Sequence, residues 1–290
     1  MIQSGLAKSK DYKVVKHNDL VQKVKFDLSE QEQKIIAYMC SRIKPTDERL
    51  EFVAFQLDEF YELTGATPKT IEGGSARSYL KTTIKALSDK SFWIKNDDGS
   101  ETLCRWIHKA TLDYGKNTIL LRLDDDLLPY LLGISERFTQ YELFWILKMK
   151  SGYSIRMYEL LKSHAWRKTA VLFEVEELKK QLGADKVKSY THMGMFLGKC
   201  IDKAIKEINE LTDITVRYKK LKDGKNIRHL QFFIKEKTPD MKVKAIHANE
   251  QKAAKGGRKG QLHMETPDPI IDSYNKRLEM LNEGVYEEES

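Results

Sequence analysis

Apolar positions along the chain recur in the same order twice. Phe55-x-Leu57-x-Glu59-Phe60 leads to Gly65, and Phe173-x-Val175-x-Glu177-Leu178 leads to Gly183. Each run predicts a short helix ended by glycine, which adopts the left-handed conformation of a helix C-terminus at little cost. An amphipathic helix follows each, with Leu80, Ile84 and Leu87 in one and Ile201, Ile205 and Ile208 in the other, spaced to share one face. Next come an apolar pair (Phe92/Ile94; Ile214/Val216) and an Asp-Gly turn, Asp98-Gly99 and Asp223-Gly224, the local signal of a hairpin. Helix, turn, helix and hairpin make the plan of a winged helix, a DNA-reading module. The predicted fold is therefore α+β, with two tandem winged-helix domains at residues 1–135 and 136–237. Residues 238–290 are expected to form a flexible C-terminal tail.

The remaining pattern fills in the two units. Val14 and Val15, with Val24 and Phe26, predict a short strand near the start. Ser29-Glu30-Gln31-Glu32 reads as a capping box, ahead of a helix with Ile36, Met39, Cys40 and Ile43 on one stripe and Pro45 after its end. A loop from Thr67 to Gly74 leads to the helix capped by Ser75, whose Arg77, Ser78, Lys81 and Lys85 lie off the apolar stripe. Ile119–Leu123 alternates as a strand. Asp124-Asp125-Asp126 then reads as an acidic first helical turn, favoured by the helix dipole, rather than as a metal site. In the second unit Thr139-Gln140-Tyr141-Glu142 is read as another capping box, with Leu143, Ile146 and Leu147 behind it. Gly152 separates that helix from a strong one over Ser154–Lys162.

Charge separates the two units. Of the 290 residues, 1–135 carry 20 Lys+Arg against 20 Asp+Glu, whereas 136–237 carry 22 against 13. The overall excess of +7 with pI near 9.0 says little alone, but an excess gathered in one domain creates a local field that attracts polyanions. On the helix after Gly183, Leu197, Ile201, Ala204, Ile205, Ile208 and Leu211 fall on one side, and Lys199, Lys203 and Lys206 on the other. A lysine stripe on an isolated helix is usually just a solvated face. The hairpin behind it changes that weighting, because Arg217, Lys219, Lys220, Lys222, Lys225 and Arg228 face one anion, Asp223. Packing gives no reason for so many cations on a small hairpin, whereas phosphate contact with counterion release does. Base readout is expected from Lys186, Lys188, Ser189, Tyr190, His192, Lys199 and Lys203, and clamping from the six hairpin cations. Arg77 and Lys81 are expected to make auxiliary contacts from the first domain.

Other chemistry finds little support. A hydrophobic content of 41% and charged content of 32% fit a globular chain. Residues 1–20 lack the apolar core of a signal peptide, and no run approaches a membrane span, so a cytoplasmic protein without membrane contact is expected. The three cysteines (Cys40, Cys104, Cys200) are scattered, which supports neither a disulfide framework nor zinc. The seven histidines never take metal-ligand spacing, no phosphate loop is complete, and none of thirteen tyrosines has an evident activating partner. No cofactor, metal or catalytic role is expected. In the tail, Lys255–Gly260 reads as a basic linker and Glu287–Ser290 as a solvated acidic end. Ile270, Ile271, Tyr274, Leu278 and Leu281 would form one amphipathic helix against a partner, with disorder expected in isolation.

Three segments also resemble the RepB/RepA-type plasmid replication initiators, a theta-replication family with tandem winged helices. Arg156-Met157-Tyr158-Glu159-Leu160-Leu161 looks like the family's central Arg-x-Tyr-Glu-Leu-Leu motif. The run from Phe196 through Lys199, Ala204-Ile205, Glu207-Ile208-Asn209 and Thr212-Asp213-Ile214 resembles its second recognition-helix motif, and Val15–Leu20 its opening. The likeness covers about residues 12–237. It implies binding to direct repeats (iterons) in double-stranded DNA of a plasmid origin as a monomer, and control of copy number. It also implies a homodimer, joined mainly through the first winged helix, that represses its own gene. Recruitment of the host initiator ATPase and replicative helicase is implied too, although the tail departs from the family and leaves any helicase contact there unsupported. Two alternatives stay open on the residues: a dimeric winged-helix repressor bound to a palindrome, and a nicking enzyme that forms a tyrosine–DNA adduct.

Overall fold

A computed structural model of the chain describes residues 12–25, 27–57, 60, 75–95, 98–113, 118–167 and 169–256. The first strand, β1 (Lys13–His17), pairs antiparallel with β7 (Phe138–Glu142), with Val15 opposite Gln140. A short helix α1 (Asn18–Gln22) follows. Val24 is buried in the loop behind it rather than in a strand, and Phe26 lies outside the described residues. Helix α2 (Glu30–Ser41) opens with the expected capping box: Ser29 N donates to Glu32 Oε2 at 2.6 Å and Glu32 N to Ser29 Oγ at 3.3 Å. Its burial exceeds one stripe, because Ile35, Ala37 and Tyr38 are enclosed along with Ile36, Met39 and Cys40.

Each copy of the repeated pattern starts with a strand that helical periodicity did not reveal. Phe55 belongs to β2 (Val53–Gln56) and Phe173 to β8 (Val171–Glu174). Gly65 and the Thr67–Gly74 loop lie outside the described residues. Helix α3 (Ser75–Ser88) buries Leu80, Ile84 and Leu87, and the hairpin of β3 (Ser91–Lys95) and β4 (Glu101–Arg105) turns with Gly99 at φ +87°. Strands β5 (Ile107–Asp113) and β6 (Thr118–Leu123) complete a sheet of order β2-β6-β5. Asp124 then accepts from Asp126 N at 3.2 Å, capping a single 3-10 turn (Asp125–Leu127) before α4 (Leu128–Leu131).

Thr139–Glu142 is strand β7 and not a capping box. The hydroxyl expected to cap a helix donates instead to Asn18 Oδ1 at 2.7 Å, and pairing with β1 overrides the local signature. Only one helical turn, α5 (Phe144–Leu147), follows before α6 (Gly152–Lys162). Gly152 sits where α6 meets the start of α2: an added Cβ there would lie 2.9 Å from Gln33 Nε2 and 3.4 Å from Glu30 N.

Helix α6 joins the parts. Arg156 has no exposed surface, and its guanidinium donates to Val24 O at 2.9 Å and Gln181 O at 3.0 Å. Burial pushes its pKa down to about 10. Glu159 Oε1 accepts from Lys16 Nζ at 2.6 Å and Tyr141 OH at 2.5 Å. Tyr158 OH donates to Asp213 Oδ1 at 2.8 Å, and Lys162 Nζ to Asp213 Oδ2 at 2.5 Å. The buried apolar residues form one cluster that runs from Val14 to Ile246, so burial on both sides of residue 135 contributes to a common core.

The second copy contains β8, α7 (Val175–Gln181), a helix from Met193 to Leu211, and the hairpin β9 (Ile214–Asp223)–β10 (Asn226–Glu236), in a sheet of order β8-β10-β9. Gly183 stands at φ +67° after α7, as a glycine C-terminus requires. Residues 239–256, part of the segment expected to be a flexible linker, form helix α10 (Pro239–Gly256). It is held by Ala245, Ile246 and Asn249, the last donating to Leu211 O at 2.7 Å. The sequence from 257 onward, including the proposed amphipathic helix and acidic end, lies outside the described residues.

Candidate nucleic-acid interface

The helix expected to read DNA is continuous from Met193 to Leu211 but not uniform. One α turn, α8 (Met193–Phe196), runs into a wider π-type turn (Leu197–Ile201) and then α9 (Asp202–Leu211). Phe196, Leu197, Cys200, Ile201, Ala204, Ile208 and Leu211 are buried, while Ile205 is only half-buried. The opposite side exposes Met195, Gly198, Lys199, Asp202, Lys203 and Lys206. Lys188, Ser189 and His192 are exposed just ahead of it. Tyr190 is instead packed inward, its ring 6.1 Å from Tyr153 and 6.0 Å from Phe196, so it pins the start of the helix to α6. Lys186 is exposed and makes one solvent-facing ion pair with Asp27 at 3.4 Å, of the kind that contributes little to stability. No side chain caps the first turn at His192, which leaves backbone N–H groups of the kind that bind phosphate.

Helix and wing are fixed to one another. Asn209 Nδ2 donates to Val216 O at 2.9 Å, and Val216 N donates to Asn209 Oδ1 at 2.6 Å. Tyr218 OH donates to Asp202 Oδ1 at 2.8 Å. Burial and that carboxylate push the Tyr218 pKa up, so the phenol keeps its proton. Asp202 is the anion in the lysine stripe, and its bond to the wing explains its presence there. Thr212 Oγ1 donates to Ile208 O at 2.9 Å and closes the helix. The motif from Glu207 to Asp213 therefore works as a joint.

Strand pleating separates the wing cations. Lys220 lies opposite Leu230 and Lys222 opposite Ile227, on the side that buries Val216, Leu230 and Phe232 and faces the reading helix. Arg217, opposite Phe233, and Lys219, opposite Gln231, point the other way. Lys225 stands in the turn beside Gly224, which takes φ +59°. Arg228 is the residue the ladder skips between Ile227 and His229, and its guanidinium lies 3.7 Å from Glu174. Among the described residues, Lys199, Lys203, Lys206, Arg217, Lys219, Lys220, Lys222 and Lys225 have no ion-pair partner. First-half cations, by contrast, commonly meet carboxylates, as in Arg122–Asp125, Lys90–Glu32 and Lys23–Asp19. Lys81 is exposed on α3. Arg77 lies in that helix, and its side chain is outside the described residues.

Sequence reasoning missed the exposed Met195 and the Tyr218–Asp202 tie. The first was legible as an apolar residue off the buried stripe. The second needed the helix–wing geometry.

Two family models match the chain: the first winged helix of "Initiator Replication protein" over residues 13–162, and the second winged helix of "Initiator Rep protein" over 174–234. Among solved structures, a Pi initiator protein in complex with iteron DNA is similar at TM-score 0.64 and 23% identity. That match covers 79% of this chain and 99% of the other, and it shows the fold. Domains 2 and 3 of RctB give TM-score 0.41 at 12% identity over 72% of this chain and 82% of theirs, too distant to carry any argument.

Proposed function

The chain belongs to the initiator replication protein family, and from that premise we propose that it starts plasmid replication by binding direct repeats (iterons) at the origin. The observation that carries this reading is the set of cations without ion-pair partners along one side of the reading helix and on the side of the wing that faces it, Lys220 and Lys222, with Lys225 at the wing's turn. Free ammonium groups that converge on a helix sized for the major groove are what phosphate and base-edge contact requires. In this reading Lys199 and Lys203 enter the groove, with Lys186, Lys188, Ser189 and His192 at its edge. Lys220, Lys222 and Lys225 hold the flanking backbone. Arg77 and Lys81 add contacts from the first unit, at 1–135, while the second, at 136–237, supplies the main grip. Tyr190 supports the site from within. The similar Pi initiator, solved on iteron DNA, is a supporting parallel.

Binding to several adjacent repeats strains the neighbouring duplex and lowers the cost of opening it. The protein acts without catalysis, in the cytoplasm; no helix among the described residues is long and apolar enough to cross a membrane. A homodimer silences the gene and restrains copy number, and the initiating form recruits the host initiator ATPase and the replicative helicase. A gel-shift series over one, two and three direct repeats tests this. One added complex per repeat is expected. Occupancy that steps only in pairs on inverted half-sites would establish the repressor reading instead.

A further inference from the structure

The face of the β8-β10-β9 sheet turned away from the reading helix is open and partly apolar. Leu172 is 53% exposed beside Gln231 and Leu221 38% exposed beside His229, with Phe233 next on this face of β10 after Gln231 and Glu174, paired with Arg228, across from His229. Arg217 and Lys219 stand on the same face, with Lys219 Nζ 5.6 Å from the centre of the Phe233 ring. Large exposed apolar side chains grouped on one sheet face mark an interaction surface more often than a solvated one. Because Lys220 and Lys222 lie on the opposite side, DNA held by the reading helix leaves this face free.

The first half carries a surface that fits it. On the β3–β4 hairpin Trp93 (58% exposed) lies directly opposite Leu103 (44% exposed). Lys95 opposes Glu101, and the turn beyond them is acidic at Asp98, whose carboxyl is held ionised by hydrogen bonds from Ser100. An indole and a leucyl side chain beside an acidic turn complement an apolar face edged by Arg217 and Lys219. Tryptophan with a charged rim is the usual composition of an energetic centre in a protein interface.

We propose that the outer face of the β8-β10-β9 sheet docks the β3–β4 hairpin of a second copy of this chain, head to tail. The contact uses different surfaces on the two copies, so each bound protomer offers the next a free face in the same orientation. That geometry suits direct repeats, whereas a two-fold contact suits inverted ones. The inference rests on the origin-binding reading above.

Full-length Trp93→Cys and Leu172→Cys variants, mixed on duplexes carrying one or two copies of the origin's direct repeat, provide the test. The native thiols at Cys40, Cys104 and Cys200 are buried and stay out of the reaction. A disulfide-linked pair is expected only from the mixture and only on two repeats. Products from either variant alone, or no product on a duplex shown to hold two protomers, would overturn the proposal. Trp93→Ala should leave affinity for one repeat unchanged and weaken filling of the second by about tenfold; unchanged filling would also overturn it. Failure of the unmodified chain to bind even one repeat would count against the origin-binding reading, which separates the two claims.

Discussion

Arg156 and Glu159 show how far a residue's type reveals its job. The resemblance singled out both, but their partners lie far along the chain: Val24 O and Gln181 O for one, Lys16 for the other. Their role as a brace was therefore hidden from any local reading. Glu159→Ala should leave the Lys16 ammonium buried without its carboxylate, at a cost of about 3–5 kcal/mol. A lower urea midpoint with an unchanged slope, whose product with that slope gives this loss, is the expected result, and a loss under about 1 kcal/mol would show that the pair is dispensable. His164 gives a pH dependence. Burial, helped by Arg167, depresses its pKa to about 4 from an ordinary 6.5. The unfolded chain then binds the extra proton between those values, so stability is complete above about pH 6.5 and declines as pH falls toward 4. His164→Phe should flatten that part of the profile, and a profile identical to that of the unmodified chain would remove His164 as its cause.

Among the elements, two Ser/Thr-x-x-Glu signatures met different fates. Ser29–Glu32 caps α2, whereas Thr139–Glu142 became a strand because β1 lies alongside it. Local capping chemistry decides only where no distant partner competes. The wing and reading helix were legible because both faces of each are marked by residue type. The separation of Arg217 and Lys219 from Lys220 and Lys222 was already present in the strand alternation, yet only the register assigns the sides. Gly198 tests the exposed side of the reading helix. A Cβ there would meet nothing within 4 Å, so Gly198→Ala should keep the fold or stabilise it by up to about 1 kcal/mol. DNA affinity should fall in the same variant, because the added methyl stands between helix and duplex. Unchanged affinity would place that side of the helix outside the interface.

For the whole molecule, the order of parts, the charge asymmetry and the fold class were legible, and the continuity of the core was not. Helix α10 escaped notice because its apolar positions are few, and it is held by polar bonds such as Asn249 to Leu211 O and Lys252 to Glu210. Removal of residues 257–290 should leave single-repeat binding intact. Truncation after Lys237 should lower the thermal midpoint, since the core loses the packing that Ala245 and Ile246 supply; equal midpoints for the two truncations would make α10 an ornament. The most direct test is the salt dependence of full-length binding to one repeat. In a Lys199/Lys203/Lys220/Lys222→Gln variant the slope of log affinity against log salt should shrink by about 2, from a loss of about 0.9 for each of the backbone contacts at Lys220 and Lys222. A matched Lys44/Arg49/Lys95/Arg105→Gln variant should keep the original slope. The reverse outcome, with the first-half variant losing its slope and the second-half variant keeping it, would contradict the account.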